Sequence, residues 1–289
     1  MTRSRLPPEI RGLAIRTSTA GDHGLTRKRL RAPDVQHPFH GVSSVELDLA
    51  TVRDRALAFL PVMEPGQVFS HTTALALHGA PLPALSLDLH VSVTFPRTPP
   101  RRGGVRGHSL ASAPATLVDG MPVSPPITGW AQSAALLSRE DLVAVGDRLL
   151  LRQSDAIDEL AAIATRWRGR PGSVRLSWAA ARVRPGVRSR PETHLRLLLV
   201  RSRLPEPVVA HPVLVAHGLV LHPDLSYPER KLALEYEGDG HRGRREWEWD
   251  IERRELFAEV GWRTIRITAT HLFQDSRALI ARVRRHLHT

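Results

Sequence analysis

The chain has 289 residues, with 41 lysines and arginines against 29 acids, a formal net charge of +12 and an isoelectric point near 11.4, a balance that favours polyanionic partners. It contains no cysteine, which excludes disulfides, thiolate zinc sites and a thiol nucleophile. No apolar run approaches the ~18 residues of a membrane span, and the start MTRSRLPPEIRGLAIR lacks the apolar centre of a secretory signal, so a cytoplasmic protein with no membrane partner is expected.

The length allows two domains with separate cores. Up to about residue 55 the sequence is mixed and poorly periodic, with GLTRKRLR as its basic cluster. Ser70 then caps a short helix, HTTALALH, which Gly79 and Pro81 end. A strand follows in which Leu87, Leu89, Val91, Val93 and Phe95 alternate inward and Asp88, His90, Ser92 and Thr94 outward. The arginine-rich loop PRTPPRRGGVRGH reads as a solvated hairpin tip or a phosphate-backbone contact. Ser124 and Pro125 open a helix through Leu137, and Ser138 caps another, REDLVAVGDRLLLR. These elements define an N-terminal α+β domain over residues 1–165.

Residues 166–190 carry eight arginines and no acid. Their centre, GSVRLSWAAARVRPG, keeps helical apolar spacing and predicts a basic connector helix. Arg182, Arg184 and Arg188 are its candidates for contact with a nucleic-acid backbone, and a solvated helix face is the alternative.

From residue 191 to 289 the apolar period switches between helix and strand, which predicts an α/β sandwich of a mixed sheet with flanking helices. Ser189-Arg190-Pro191-Glu192 forms an S-x-x-E capping box, so Glu192 either caps the first helix or faces a site at its start. The stretch PDLSYPERKLALEYEGDGH reads as a hairpin. Alternation sets Leu232, Leu234 and Tyr236 on one side of its second strand and Ala233, Glu235 and Glu237 on the other. A two-residue turn at Glu229-Arg230 puts Asp224 directly opposite Glu235, and a one-residue slip undoes this. Paired Cβ atoms lie about 4.5 to 5.5 Å apart, so two carboxylates there repel unless a proton or cation joins them, and hard oxygen ligands suit Mg²⁺ or Mn²⁺. A solvated acidic strand edge is the alternative. Lys231, about 13 Å along the strand from Glu235, stands near the turn, too far to help the same water. In the GDGH turn, two glycines permit close backbone approach and His241 supplies an imidazole. Arg282, Arg284 and Arg285 give the last helix a basic side.

Taken in order, GVRSRPETHLR, HPDLSY, LALEYEGDGH and WDIERRELFAEVGWRTIRIT resemble the very-short-patch-repair-like endonuclease domain of the PD-(D/E)XK superfamily, over about residues 187 to 287. The resemblance implies a restriction-endonuclease-like fold with Glu192 on the first helix and Asp224 as the metal-binding aspartate. It also implies Glu235 and Glu237 as an acidic pair, His241 as the trailing histidine, and a helix with Asp250, Arg253 and Leu256 at spacings of three. One departure is that Glu237 stands where the superfamily has lysine, which puts turnover in question. Over about residues 20 to 155, SHTTALALHGAPLP and the elements after it resemble the N-terminal region of bacterial proteins related to type IV abortive-infection antitoxins. Such proteins begin with a winged helix, for which the segment here is too short.

These readings lead to the expectation of a metal-dependent DNA endonuclease joined to a regulatory or targeting domain. Asp224 and Glu235, with the Tyr236 carbonyl, hold Mg²⁺ or Mn²⁺, Glu237 orients water or binds a second ion, and His241 steadies the leaving group. The competing expectation is a non-catalytic nucleic-acid-binding regulator on a degenerate nuclease fold, in a toxin–antitoxin or phage-defence pair with a protein partner from an adjacent gene.

Overall fold

The computed structural model describes residues 11–152, 156–238 and 244–288. The candidate His241 lies outside the described residues, and for Asp250 only the helical backbone is described. The chain divides into two units, Met1–Leu136 and Leu137–Thr289. No described helix is long and apolar enough to cross a membrane.

In the first unit the elements run β1 (Ala14–Arg16), α1 (Arg27–Leu30), β2 (Val42–Ser44), α2 (Val52–Phe59), β3 (Val68–Phe69), α3 (His71–Leu77) and β4 (Leu89–Thr94). They continue as β5 (Arg101–Arg102), β6 (Val105–Leu110), β7 (Thr116–Val118), β8 (Met121–Val123) and α4 (Pro126–Gln132). The aperiodic start acquires structure by non-local pairing: β1 lies antiparallel to β2, over a small core of Ile15, Ala20, Leu25 and Leu30. Six strands form a mixed sheet in the order β5-β6-β4-β3-β8-β7, with β4 parallel to β6 and antiparallel to β3. Its main core joins Phe39, Phe59 and Phe69, whose rings meet edge-on.

Strand β4 departs from the expected alternation. Leu89 through Val93 are all buried, while Leu87 and Phe95 lie beyond the strand and are exposed. Alternation separates the two faces of a strand but does not say whether the second is covered. Here it is: Ser92 Oγ donates to Ser70 Oγ at 2.6 Å, and the His71 ring lies 5.4 Å from that of His90. Ser70 holds the N-cap position of α3, yet its hydroxyl bonds His71 Nδ1 (2.9 Å) rather than the helix backbone. The arginine-rich loop contains a hairpin in which Arg101 pairs with Arg106 and Arg102 with Val105.

In the second unit come α5 (Arg139–Arg152), α6 (Ile157–Arg166), α7 (Ser173–Ala180), α8 (Arg190–Arg201), β9 (Val208–Val209), β10 (Val213–Leu214) and β11 (Val220–Leu221). They are followed by β12 (Leu225–Tyr227), β13 (Leu232–Glu237), α9 (Arg244–Glu259), β14 (Arg263–Thr268) and α10 (Ser276–His288). The four-stranded sheet has the order β14-β13-β12-β9. Strand β12 is antiparallel to both β9 and β13, while β14 returns parallel to β13 after the α9 crossover, the connection that a parallel pair requires. One cluster holds Leu195, Leu199, Leu225, Leu234, Ile265 and Val283, and a second holds Ala233, Phe257 and Trp262. Alternate residues of β13 enter different clusters, so the sheet is covered on both faces. The architecture is therefore mixed α/β, with mixed sheets flanked by helices.

Residues 137–190, which the sequence reading divides between an N-terminal domain and a connector, lie in the second unit. Leu176 and Ala179 of α7 are buried, so this helix has an inward face despite its arginines. A buried ion pair fastens the segment. Arg196 Nη2 donates to Asp147 Oδ2 at 3.0 Å and to the Arg182 carbonyl at 2.9 Å, and Thr193 Oγ1 and the Arg184 N–H also donate to Asp147.

Candidate active site

The β12–β13 hairpin has the register that sets Asp224 against Glu235: Leu225 pairs with Leu234, Ser226 with Ala233 and Tyr227 with Leu232. The turn itself differs from the expected two-residue loop. Residues 228–231 close it, as a 3₁₀ turn Pro228–Arg230 followed by Lys231 at φ +45°. The longer loop is centred on the same point as the shorter one, so the pairing is preserved.

Asp224 immediately precedes β12, and its Oδ2 accepts from the Tyr236 N–H at 2.8 Å. Glu192 comes from the first turn of α8 and is buried: its N–H donates to the N-cap Ser189 Oγ (3.4 Å), but its Oε2 accepts from the N–H of Arg188 (2.9 Å), one residue before the cap, so the reciprocal half of the expected capping box is not formed. The Glu192 carboxylate thus ties down the chain entering α8, and it remains close enough for its charge to act on Asp224. Burial, then the negative charge of Glu192, and then that of Glu235 push the Asp224 carboxyl up to about 7, against the opposing Tyr236 N–H and Arg253. Three acids from a helix start, a strand entrance and a strand centre therefore share one electrostatic environment.

Arg253, from α9, lies in the aspartate-arginine-leucine pattern, whose spacing alone gives it no site role. Its Nε and Nη2 both donate to Glu235 Oε1, at 3.0 and 2.8 Å, and Nη2 also reaches the His222 carbonyl at 2.6 Å. Glu237 shares the Glu235 side of β13 but pairs with Arg266 of β14 and is not among the charges that shift Asp224. Lys231 stands apart from the acids as expected, its Nζ donating to the Val260 carbonyl at 3.0 Å.

The basic candidates divide. Arg182 lies 4.3 Å over the Trp178 ring, and Arg184 Nη2 donates to Glu206 at 3.0 Å, so both are engaged within the unit. The Arg188 side chain is exposed, while its N–H serves Glu192. On α10, Arg284 donates to the Ser202 carbonyl at 3.1 Å; Arg284 and Arg285 are exposed and Arg282 half-buried.

Among the described residues, the group of three whose ligand atoms all lie within 4.8 Å of one another is not this acidic cluster but His71, His90 and His108, in the first unit. No motif spacing announces it, because the three come from a helix start and two strands.

No family model matches the chain, and no solved structure matches it. Two uncharacterized proteins of Mycobacterium tuberculosis, from strains CDC 1551 / Oshkosh and ATCC 25618 / H37Rv, are similar to it. Each is 28% identical over 189 residues, spanning 64% of this chain and 68% of its own length. Neither carries a name that describes an activity.

Proposed function

We propose that the second unit is a metal-dependent DNA endonuclease on a restriction-endonuclease-like fold. The observation that carries this reading is Asp224, half-buried, within the field of Glu192 and opposite Glu235, with its carboxyl pushed up to about 7. Such an excess of negative charge is relieved by a proton or by a divalent cation. The order of α8, antiparallel strands, α9 and parallel β14 supports the same reading.

The donors fit Mg²⁺ or Mn²⁺, since carboxylate and carbonyl oxygens suit hard cations. Asp224 and Glu235 would hold the ion, with the Tyr236 carbonyl nearby. When bound, the metal polarises a phosphodiester and lowers the pKa of an attacking water. Arg253 holds Glu235 in place and supplies positive charge on a side of the site that faces acids. Glu192 shapes the start of α8, whose N-terminus favours a phosphate. The net charge of +12 favours duplex DNA over neutral substrates.

A second reading, a nucleic-acid-binding regulator without turnover, is favoured by two contacts. Glu237, at the position where related nucleases carry lysine, is held by Arg266, and Arg253 already neutralises Glu235. Plasmid DNA incubated with wild type, Asp224→Asn and Glu235→Gln in Mg²⁺, Mn²⁺ or chelator separates the two. The nuclease reading expects cleavage by wild type alone, and only with metal. Wild type that binds duplex DNA tightly but is inert with every metal supports the regulator.

A further inference from the structure

We propose that His71, His90 and His108 form a binding site for a divalent first-row transition metal in the first unit, with zinc as the test ion. His71 is the first residue of α3, His90 lies in β4 and His108 in the adjacent parallel strand β6. Their ligand nitrogens all lie within 4.8 Å of one another. Zinc takes imidazole nitrogens at about 2.0 to 2.1 Å, so two ligands on one tetrahedral ion are about 3.4 Å apart. Small rotations of the rings therefore close the set, and a three-histidine site leaves a fourth position for water.

The bland alternative is a hydrogen-bonded histidine pair, because His90 Nδ1 and His108 Nε2 are 2.9 Å apart. That pair does not account for the third ring. His71 stacks on His108 with centroids 3.8 Å apart, and it does so from a left-handed backbone at φ +52°, a conformation that costs energy for a residue other than glycine. Burial of imidazoles also costs energy unless their nitrogens are used.

The surroundings are those of a fixed ligand set. The His71 N–H donates to Gln132 Oε1 at 3.1 Å and the His90 N–H to Thr73 Oγ1 at 2.8 Å, which fixes two backbones. Ser70 Oγ meets His71 Nδ1 at 2.9 Å and accepts from Ser92 Oγ, the kind of outer contact that orients a metal-bound imidazole. Burial depresses all three rings below their usual range, His71 to about 3 and His90 to about 4. They are neutral near pH 7, and protons do not compete for their lone pairs. Nearby, Arg106 disfavours added positive charge, but it is paired with Asp88 at 3.2 Å. The half-buried His108 leaves a side open to an entering ion. Neutral nitrogen donors select zinc, nickel, cobalt or copper over magnesium, so this site is distinct in chemistry from the acidic one and stands whether or not that one is catalytic.

The test uses the full chain, freed of metal with chelator and titrated with Zn²⁺ by calorimetry and with Co²⁺ by its visible absorption bands. The expected result is one ion per chain with a dissociation constant of about 1 μM or tighter. His90→Ala and His108→Ala should weaken binding by about 100-fold or more, while the exposed His23→Ala leaves it unchanged. Circular dichroism checks that each variant is folded, and if His90→Ala is not, His108→Gln at its half-buried position decides. Wild type that takes up no ion overturns the proposal. So do folded variants that bind as wild type does, since surface histidines would then be the ligands.

Discussion

The Tyr236 N–H donates to Asp224 Oδ2 across the hairpin at 2.8 Å, which ties the aspartate to the strand that bears Glu235. This contact fixes the distance between two acids of like charge, and its consequences are measurable as pH-dependent stability.

The Asp224 carboxyl is held near 7 in the folded chain, against an ordinary value of 3.8. The folded state therefore binds this proton more tightly than the unfolded state, so the stability it contributes is full below pH 4 and is lost as pH rises from about 4 to about 7. At ~1.4 kcal/mol per pH unit, this amounts to about 4 kcal/mol. Asp224→Asn keeps an acceptor for the Tyr236 N–H and removes the ionisation. Its stability relative to wild type should rise by up to that amount between pH 4 and pH 8, as read by chemical denaturation. A difference independent of pH would remove the electrostatic account.

Divalent metal should reverse the same penalty. At pH 8, Mg²⁺ should raise the melting temperature of wild type and leave that of Asp224→Asn nearly unchanged, because binding to the folded state alone is what stabilises. Equal shifts in both proteins would place the ion elsewhere.

Arg253→Gln withdraws the cation that faces Glu235. Without metal at pH 8 the variant should be less stable by about 2 to 5 kcal/mol, the cost of leaving a partly buried acid unpaired. Its melting temperature should respond to Mg²⁺ more strongly than that of wild type. A weaker response would mean that Arg253 and the cation do not neutralise the same charge.

The ion pair of Arg196 with Asp147 is buried at both ends. Breaking it with Asp147→Ala should cost about 3 to 5 kcal/mol, whereas the double variant Asp147→Leu with Arg196→Met should recover much of the loss. Urea midpoints of wild type, Asp147→Leu, Arg196→Met and their double variant measure the coupling.

Salt dependence of duplex DNA binding distinguishes the arginines. Each phosphate contact adds about 0.9 to the slope of log K against log salt. Arg188→Ala should lower the slope by about that amount. Arg184→Ala should leave it nearly unchanged, because this guanidinium is held by Glu206. The reverse pattern would mean that the Glu206 pair opens on DNA.

The hairpin and the helix caps were legible because their signals are local. Alternation and a turn between Asp224 and Glu235 fixed the pairing even though the loop proved four residues long, and Ser138 and Ser189 announced α5 and α8. What was not legible depends on partners distant in sequence. The arginine-rich stretch before α8 suggested a connector, but its fate is set by Asp147 and by the buried face of Leu176. His90 and Ser92 looked outward because β4 alone does not reveal what α3 brings over them. Glu235 and Glu237 share a face, yet only their different partners, Arg253 and Arg266, separate their roles. The histidine cluster was hidden for the same reason, its members being assembled by the sheet.

The chain has two lysines, Lys28 and Lys231, one in each unit. Both are exposed, and the Lys231 amine donates to the carbonyl of Val260, the residue that follows α9. An amine-directed reagent therefore meets one side chain per unit, and mass spectrometry of the labelled chain assigns each without ambiguity. Lys28 sets the intrinsic pace of modification. Acylation of Lys231, measured against that pace, becomes a clock for how often its amine lets go of the Val260 carbonyl.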